Sequence, residues 1–405
     1  MKTRILFIDD EPRILQGIQR TLRNMQQEWE MSFVGSGREA LDTLSQKTFD
    51  VVVSDMRMPG MDGAQLLTEV KKRFPQIARI ILSGHSDQEF IMKSVPIAHQ
   101  YLAKPCDAEA LKSAVMRTCK VRGLVAEDSI KRFLSNIDTL PSLPSLYVEM
   151  MEELKSASVC VQKMGEIISK DMGMTAKILQ LVNSAFFGLQ HHVSSPFQAV
   201  TLLGIDNIRA LVLSVHIFSH FDSQKLSTIS LGRLWDHSFL TANLARAIAK
   251  EEDQKRVVID DSFMVGLLHD VGKPILLLYS PERYQEAQER ARGKKISFSE
   301  AEKEIFGVTH CEVGAYLTGL WGLPESIVEG LAFHHDPAAC QVQGFGPLLA
   351  VHVANVLEQE QAQSDIQEAP SPINREYLAT LGLLPRLPVW EEVCRKVLQR
   401  GEINE

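Results

Sequence analysis

The chain has 405 residues, 45% of them hydrophobic and 23% charged, with a formal net charge of −8. That length implies two to three domains, each with its own core, and the acidic balance argues against a general nucleic-acid or membrane surface. No apolar run approaches the roughly 20 residues of a membrane span, and Asp9, Asp10 and Glu11 interrupt any signal-peptide core.

The first predicted strand, Ile5-Leu6-Phe7-Ile8, runs out at Asp9-Asp10. A helix opens at Pro12, a residue favoured in a first turn, with Ile14, Leu15, Ile18 and Leu22 on one face. Val51-Val52-Val53-Ser54 ends at Asp55, followed by the loop Met58-Pro59-Gly60-Met61-Asp62-Gly63. Ile80-Ile81-Leu82 ends at Ser83, and Tyr101-Leu102-Ala103 ends at Lys104-Pro105. Helices are expected near Gly63, Ser86 and Asp107. This alternation predicts a parallel sheet with every polar group at one edge, where α/β folds place ligands. Clustered carboxylates repel one another unless a hard cation such as Mg²⁺ neutralises them. With a lysine and a hydroxyl donor beside them, they have what an aspartate needs to accept a phosphoryl group.

Residues 1–120 resemble the receiver domain of two-component response regulators. The resemblance implies a doubly wound, flavodoxin-like sheet of five parallel strands. It makes Asp55 the phosphoacceptor, with Asp9, Asp10, Asp55 and the backbone carbonyl of Arg57 as Mg²⁺ ligands. Ser83 and Lys104 would contact the phosphoryl group, Tyr101 would be the switch aromatic, and the Lys104–Pro105 bond would be cis.

Beyond Lys120 a connecting helix is expected through Val125, Ile130 and Phe133, so that 121–138 form a linker leading to Leu140-Pro141-Ser142-Leu143-Pro144. From about 145 to 355 the spacing is helical throughout. Clear elements are Met174–Asn183, Ile205–Phe218, Leu234–Ala249, Ser262–Leu267 and Ile327–Phe333. Glu358–Pro372, rich in Gln, Glu, Ser and Pro, reads as a loop or linker. Glu376–Leu383 and Val389–Leu398 read as closing helices. No helix-turn-helix pattern is evident, so a DNA-binding output is not expected. Six cysteines (106, 119, 160, 311, 340 and 394) without C-x-x-C spacing read as reduced thiols of a cytoplasmic protein.

His237, His269-Asp270, His310 and His334-His335 are far apart in sequence. Gathered by a fold, imidazoles and a bridging carboxylate could bind divalent metal and activate water. As separate residues the histidines read more readily as buried or helix-end anchors; that reading is evenly weighed for His237 and is also favoured for Asn183. Phe186-Phe187 reads as core and His191-His192 as a solvated loop.

His269-Asp270 with Gly272-Lys273 resembles the motif of the HD phosphohydrolases, including the HD-GYP branch that hydrolyses cyclic di-GMP. Residues 139–355 as a whole are more similar to the related HDOD output domain, generally regarded as a signalling or interaction module. That similarity rests on the Leu140–Pro144 turn, Ile178-Leu179-Gln180-Leu181-Val182-Asn183-Ser184-Ala185, Ala199-Val200-Thr201-Leu202-Leu203-Gly204 and Trp321-Gly322-Leu323-Pro324. It leaves 356–405 as a loop and closing helices after an all-α output domain of the HD superfamily. The chain departs from the active HD-GYP pattern. No Gly-Tyr-Pro follows His334-His335-Asp336, Asn355 stands where a final aspartate ligand is expected, and Arg233 stands four residues before His237. The expected function is therefore a response regulator with a sensor histidine kinase upstream and a signalling protein downstream. Its output is expected to be a non-catalytic HDOD module with a vestigial metal site. The alternative is a metal-dependent cyclic di-GMP phosphodiesterase, and a retained cyclic-dinucleotide pocket is a third reading.

Overall fold

The structure is a computed structural model that describes residues 2–83, 97–104, 108–122, 124–125, 128–134, 137, 149–150, 152–154, 159–183, 192–205, 208, 231–340, 344–361 and 372–401. Strands β1 (Thr3–Ile8), β2 (Trp29–Val34), β3 (Val51–Asp55), β4 (Ala78–Ser83) and β5 (Gln100–Ala103) form one sheet in the order β2-β1-β3-β4-β5. Every pairing is parallel. All five strands therefore end at the same edge, and Asp9, Asp55, Ser83 and Lys104 meet there by topology alone.

Helices α1 (Pro12–Thr21), α2 (Gly37–Gln46), α3 (Gly63–Arg73) and α4 (Ala108–Arg122) cover the sheet. Residues of alternating parity serve its two faces, as the pleat requires. Leu6, Ile8, Val52 and Ile81 pack with Leu41, Leu44, Leu66 and Leu67 of α2 and α3. Ile5, Phe7, Val53, Ile80 and Leu82 belong to a second core that takes in Leu111, Ala114 and Val115 of α4 and continues into the helical half of the chain. Helix α3 starts at a capping box, Asp62 with Gln65. Its first residue must be glycine, since a Cβ on Gly63 would lie 2.2 Å from the Asp55 carbonyl oxygen.

The helical half comprises α5 (Asp128–Leu134), α6 (Val161–Ser169), α7 (Met172–Val182), α8 (Pro196–Leu203), α9 (Leu231–Glu251), α10 (Arg256–Leu268), α11 (Gly272–Tyr279) and α12 (Pro281–Lys294). It continues with α13 (Phe298–Phe306), α14 (His310–Leu320), α15 (Glu325–Phe333), α16 (Pro347–Gln361), α17 (Arg375–Thr380) and α18 (Leu387–Gly401). Among the described residues no helix is long and apolar enough to cross a membrane.

Most sequence-derived elements are present within a turn of their expected ends. Two expectations are corrected. No single connecting helix runs through Val125, because α4 ends at Arg122, Leu124 and Val125 are not helical, and α5 starts at Asp128. The segment Glu358–Pro372 does not begin as a loop, because α16 continues through Glu358 to Gln361. Apolar contacts of Val353, Ala354 and Leu357 hold this turn to the core, although its composition is linker-like. The helix near Ser86, the 140–144 turn, Phe186-Phe187, His191, Pro105 and most of 205–218 lie outside the described residues. Asn183 is a packing anchor. Its amide donates to the carbonyls of Leu179 and Val193 and its Oδ1 accepts from Val193 N. His192 is not simply solvated, since its Nε2 lies 3.0 Å from Asp261 Oδ1.

The two halves touch. The side chain of Gln100, almost fully buried at the start of β5, donates to Thr118 Oγ1 on α4 at 3.0 Å and to the Leu320 carbonyl at the end of α14 at 3.1 Å. Gln180 Nε2 on α7 donates to the carbonyl of His99.

Candidate functional sites

At the sheet edge, Asp9, Asp10 and Asp55 each bring a carboxylate oxygen within 4.8 Å of the others. Lys104 Nζ bridges two of them, 2.7 Å from Asp9 Oδ2 and 2.5 Å from Asp55 Oδ1. Backbone groups hold the other oxygens in place: Glu11 N donates to Asp9 Oδ1 and Arg57 N to Asp55 Oδ2. Ser83 is buried at the end of β4, opposite Ala103 in register, and its carbonyl accepts from Lys104 N. Burial pushes the Asp55 carboxyl up, aided by the neighbouring Asp9, and the Lys104 ion pair only partly offsets this. Burial disfavours the charge on Lys104 too, yet its hydrogen bonds to Asp55 and Asp9 hold its pKa above the ordinary lysine value. The nest thus holds more negative charge than one ammonium compensates. An all-oxygen donor set of this kind suits Mg²⁺. Tyr101 lies on β5, and its side chain is outside the described residues.

The second site lies where α9, α10, α11, α14 and α15 converge. His269 caps the end of α10 and His334 the end of α15. His310 is the first residue of α14, whose start is set by a capping box between Thr309 and Glu312. The close approach of α11 to α14 requires glycine, since a Cβ on Gly272 would lie 2.0 Å from the His310 carbonyl oxygen.

Most of the ring orientations are set from behind. His237 Nδ1 meets Glu358 at 2.6 Å, His310 Nδ1 meets Glu302 at 2.5 Å, and His269 and His334 direct Nδ1 at the carbonyls of Gly266 and Leu331. An Nδ1–H donated to such an acceptor leaves a lone pair on Nε2. These Nε2 atoms face inward and crowd one another. His237 and His269 are 3.2 Å apart at Nε2, as are His310 and His335. Asp270 sits among them, with Oδ1 3.3 Å from His310 Nε2 and Oδ2 3.7 Å from His237 Nε2. Lys273 Nζ stands 2.8 Å from Asp270 Oδ2, close enough for an ion pair but without hydrogen-bond alignment, and neither oxygen of this buried carboxylate receives a hydrogen bond.

Burial drives the His269 imidazole down to about 4. Burial and neighbouring imidazoles hold His334 and His335 well below the usual range as well. Burial opposes charge on Asp270, but Lys273 and the surrounding imidazoles outweigh it and keep the carboxylate ionised. Burial likewise opposes charge on His310, yet Cys311 and Glu302 prevail and raise its pKa well above that of a free imidazole. Imidazoles aimed at each other around a buried carboxylate that receives no hydrogen bond form a donor set that fits a divalent cation. Two groups have ligand spacing: His237, His269 and Asp270; and His310, Cys311, His334 and His335.

All six of the expected HD residues converge here. Arg233 is exposed on α9, and Asn355 is buried with Oδ1 accepting from Gln359. Sequence reasoning missed Glu302, Glu358 and Cys311. Glu302 and Glu358 lie eight and 121 positions from their histidines, so no local spacing marks them. Cys311 follows His310 directly, and that adjacency was the available signal.

Residues 5–116 match the family model of the response regulator receiver domain, and residues 140–337 match that of the HDOD domain. The chain therefore carries a receiver domain of the response-regulator family. That receiver is followed by an HDOD domain. It is 28% identical over 203 residues to an uncharacterized protein of Treponema pallidum, covering 49% of this chain and 38% of that one. It is 33% identical over 155 residues to the hydrogenase transcriptional regulatory protein HoxA of Cupriavidus necator, covering 38% and 31%. To the DNA-binding transcriptional regulator NtrC of Klebsiella pneumoniae it is 45% identical over 83 residues, covering 20% and 18%. The chain thus spans less than two fifths of the length of these relatives. Among solved structures it is similar to the MmoQ response regulator of Methylococcus capsulatus, with 23% identity, a TM-score of 0.47 and coverage of 62% and 97%. It is also similar to the receiver domain of an HD domain-containing protein of Pseudomonas fluorescens, with 29% identity, a TM-score of 0.29 and coverage of 30% and 98%. The receiver and HDOD family matches do not favour the cyclic di-GMP phosphodiesterase alternative.

Proposed function

We propose that this protein is a cytoplasmic response regulator in which Asp55 accepts a phosphoryl group from a sensor histidine kinase and thereby switches an HDOD interaction module. The observation that carries this reading is Lys104 Nζ bridging Asp9 and Asp55 at the edge where all strands end. In the transfer, a carboxylate oxygen of Asp55 forms the new P–O bond as the P–N bond to the donor imidazole breaks. The imidazole leaves with that electron pair and takes up a proton. Asp9, Asp10, Asp55 and the Arg57 carbonyl would hold Mg²⁺, which would supply charge neutralisation at the phosphoryl oxygens. Lys104 then exchanges its Asp55 contact for a phosphoryl oxygen, and Ser83 Oγ donates to another.

Phosphorylation adds about −1.5 to −2 charge. Drawing Ser83 and Lys104 inward shifts the end of β5, whose other end carries Gln100. That side chain grips the C-terminal end of α14, and His310 stands at the opposite end of the same helix. Helix α14 is thus a rigid rod from the receiver to the histidine cluster. A coupling of roughly 1–3 kcal/mol would give a switch of about 5–150-fold, exposing or hiding a surface for a downstream signalling protein. Beryllofluoride should alter amide hydrogen exchange in α14 of the wild type and leave Asp55→Ala unchanged. An equal response in both would refute the phosphoacceptor assignment.

The orphaned oxygens of Asp270 and the opposed Nε2 atoms favour a second element of this reading. In the HDOD domain His310, His334 and His335 would hold a divalent metal, with His237, His269 and Asp270 as the neighbouring group of ligand spacing. A metal bound there would supply positive charge to the inward lone pairs and the carboxylate. Glu302 and Glu358 orient the rings from outside, as carboxylates behind metal-bound imidazoles do.

A further inference from the structure

We propose that Cys311 is an anionic ligand of the HDOD metal centre, which makes it a thiolate site selective for zinc or ferrous iron over magnesium. This rests on the reading of the histidine cluster as a metal site and specifies which metal class it takes. Cys311 Sγ is buried, 3.4 Å from His310 Nε2 and 3.8 Å from His334 Nε2, and His310 Nε2 is 3.2 Å from His335 Nε2. Tetrahedral ligation at ~2.0–2.1 Å for nitrogen and ~2.3 Å for sulfur requires ligand edges of ~3.3 Å between nitrogens and ~3.6 Å between sulfur and nitrogen. These three edges lie close to those figures, and all four donor atoms lie within 4.8 Å of one another.

Charge points the same way. The three imidazoles of His310, His334 and His335 bring no negative charge to a dication, Asn355 is an amide whose oxygen is engaged by Gln359, and Asp270 is paired with Lys273. A metal-bound thiol is deprotonated outright, so Cys311 would supply the missing anion. A soft sulfur ligand with imidazoles disfavours Mg²⁺, which the all-oxygen nest of Asp9, Asp10 and Asp55 prefers. One chain therefore carries a hard site and a soft site, joined by α14.

The test uses the full-length protein, stripped of metal and loaded with Co²⁺ in excess Mg²⁺, which occupies the receiver nest. The expected result is one retained Co²⁺ with a thiolate-to-cobalt charge-transfer band in the near ultraviolet. The band should vanish in Cys311→Ser and persist in Cys160→Ser, since Cys160 is exposed. X-ray absorption of the zinc-loaded wild type, which depends on no variant, should show a sulfur neighbour at ~2.3 Å. Retained cobalt without the band, or a band that survives in Cys311→Ser, overturns the ligand assignment while leaving a metal site. Failure to retain cobalt overturns both.

Discussion

Replacing Gly272 with alanine tests how the helical half assembles its histidines. The added methyl carbon would stand 2.0 Å from the His310 carbonyl oxygen and 2.7 Å from both its carbonyl carbon and its Cα. Even the tightest real contacts begin at about 3.0 Å and ordinary ones at 3.4 Å, so α11 and α14 must part by 1.0–1.4 Å. The obstructing atoms are backbone at the first turn of α14, not the tip of a flexible side chain, so no rotamer change relieves the clash. Overpacking of this kind costs about 1–3 kcal/mol, and a helix-to-helix clash belongs at the upper end. The same displacement carries His310 away from Asp270, now 3.3 Å apart. Metal–ligand distances tolerate only about ±0.2 Å, so zinc affinity should fall at least about tenfold, or ~1.4 kcal/mol. Denaturant unfolding of metal-free protein measures the first effect and competitive zinc titration the second. Gly293→Ala is the control: nothing lies within 4 Å of its added Cβ on α12, so helix propensity should leave stability unchanged or raised. Gly272→Ala with wild-type stability and zinc affinity would refute the reasoning.

Gln100→Leu keeps the bulk of the joint between the halves but leaves the Leu320 carbonyl without its donor. It should cost about 1–3 kcal/mol and abolish the beryllofluoride response of α14 in hydrogen exchange, while phosphorylation of Asp55 continues. The metal-free protein should also lose stability as pH falls. His269 is buried neutral with its pKa lowered from 6.5 to about 4, so the unfolded chain binds the extra proton first. Its contribution is intact above pH 6.5 and lost progressively down to about 4, amounting to about 3 kcal/mol. His334 and His335 act in the same direction. Denaturant midpoints measured across that window should fall toward acid, and His269→Asn should flatten the profile.

The receiver half was legible because its information is local. Each apolar run that ends in Asp9, Asp55, Ser83 or Lys104 is a strand reporting its own terminus, and parallel topology then brings the termini together. Helices α9, α10, α15 and α18 were readable for the same reason, as their apolar spacing is written within a few turns. The helical half's site was legible only as a set of residue types. His237 and His269 could be named, but not that Glu358 would reach His237 from a turn whose composition reads as linker. Glu302, within α13, carried no recognisable spacing, and Cys311 was marked only by its adjacency to His310. The joint through Gln100 depends on a contact across more than 200 residues. Strand ends, caps and amphipathic faces were thus determined by neighbours in the chain. The carboxylates behind the histidines, the sulfur among them and the rod between the two sites were decided by tertiary packing, because only there do helices distant in sequence share one buried volume.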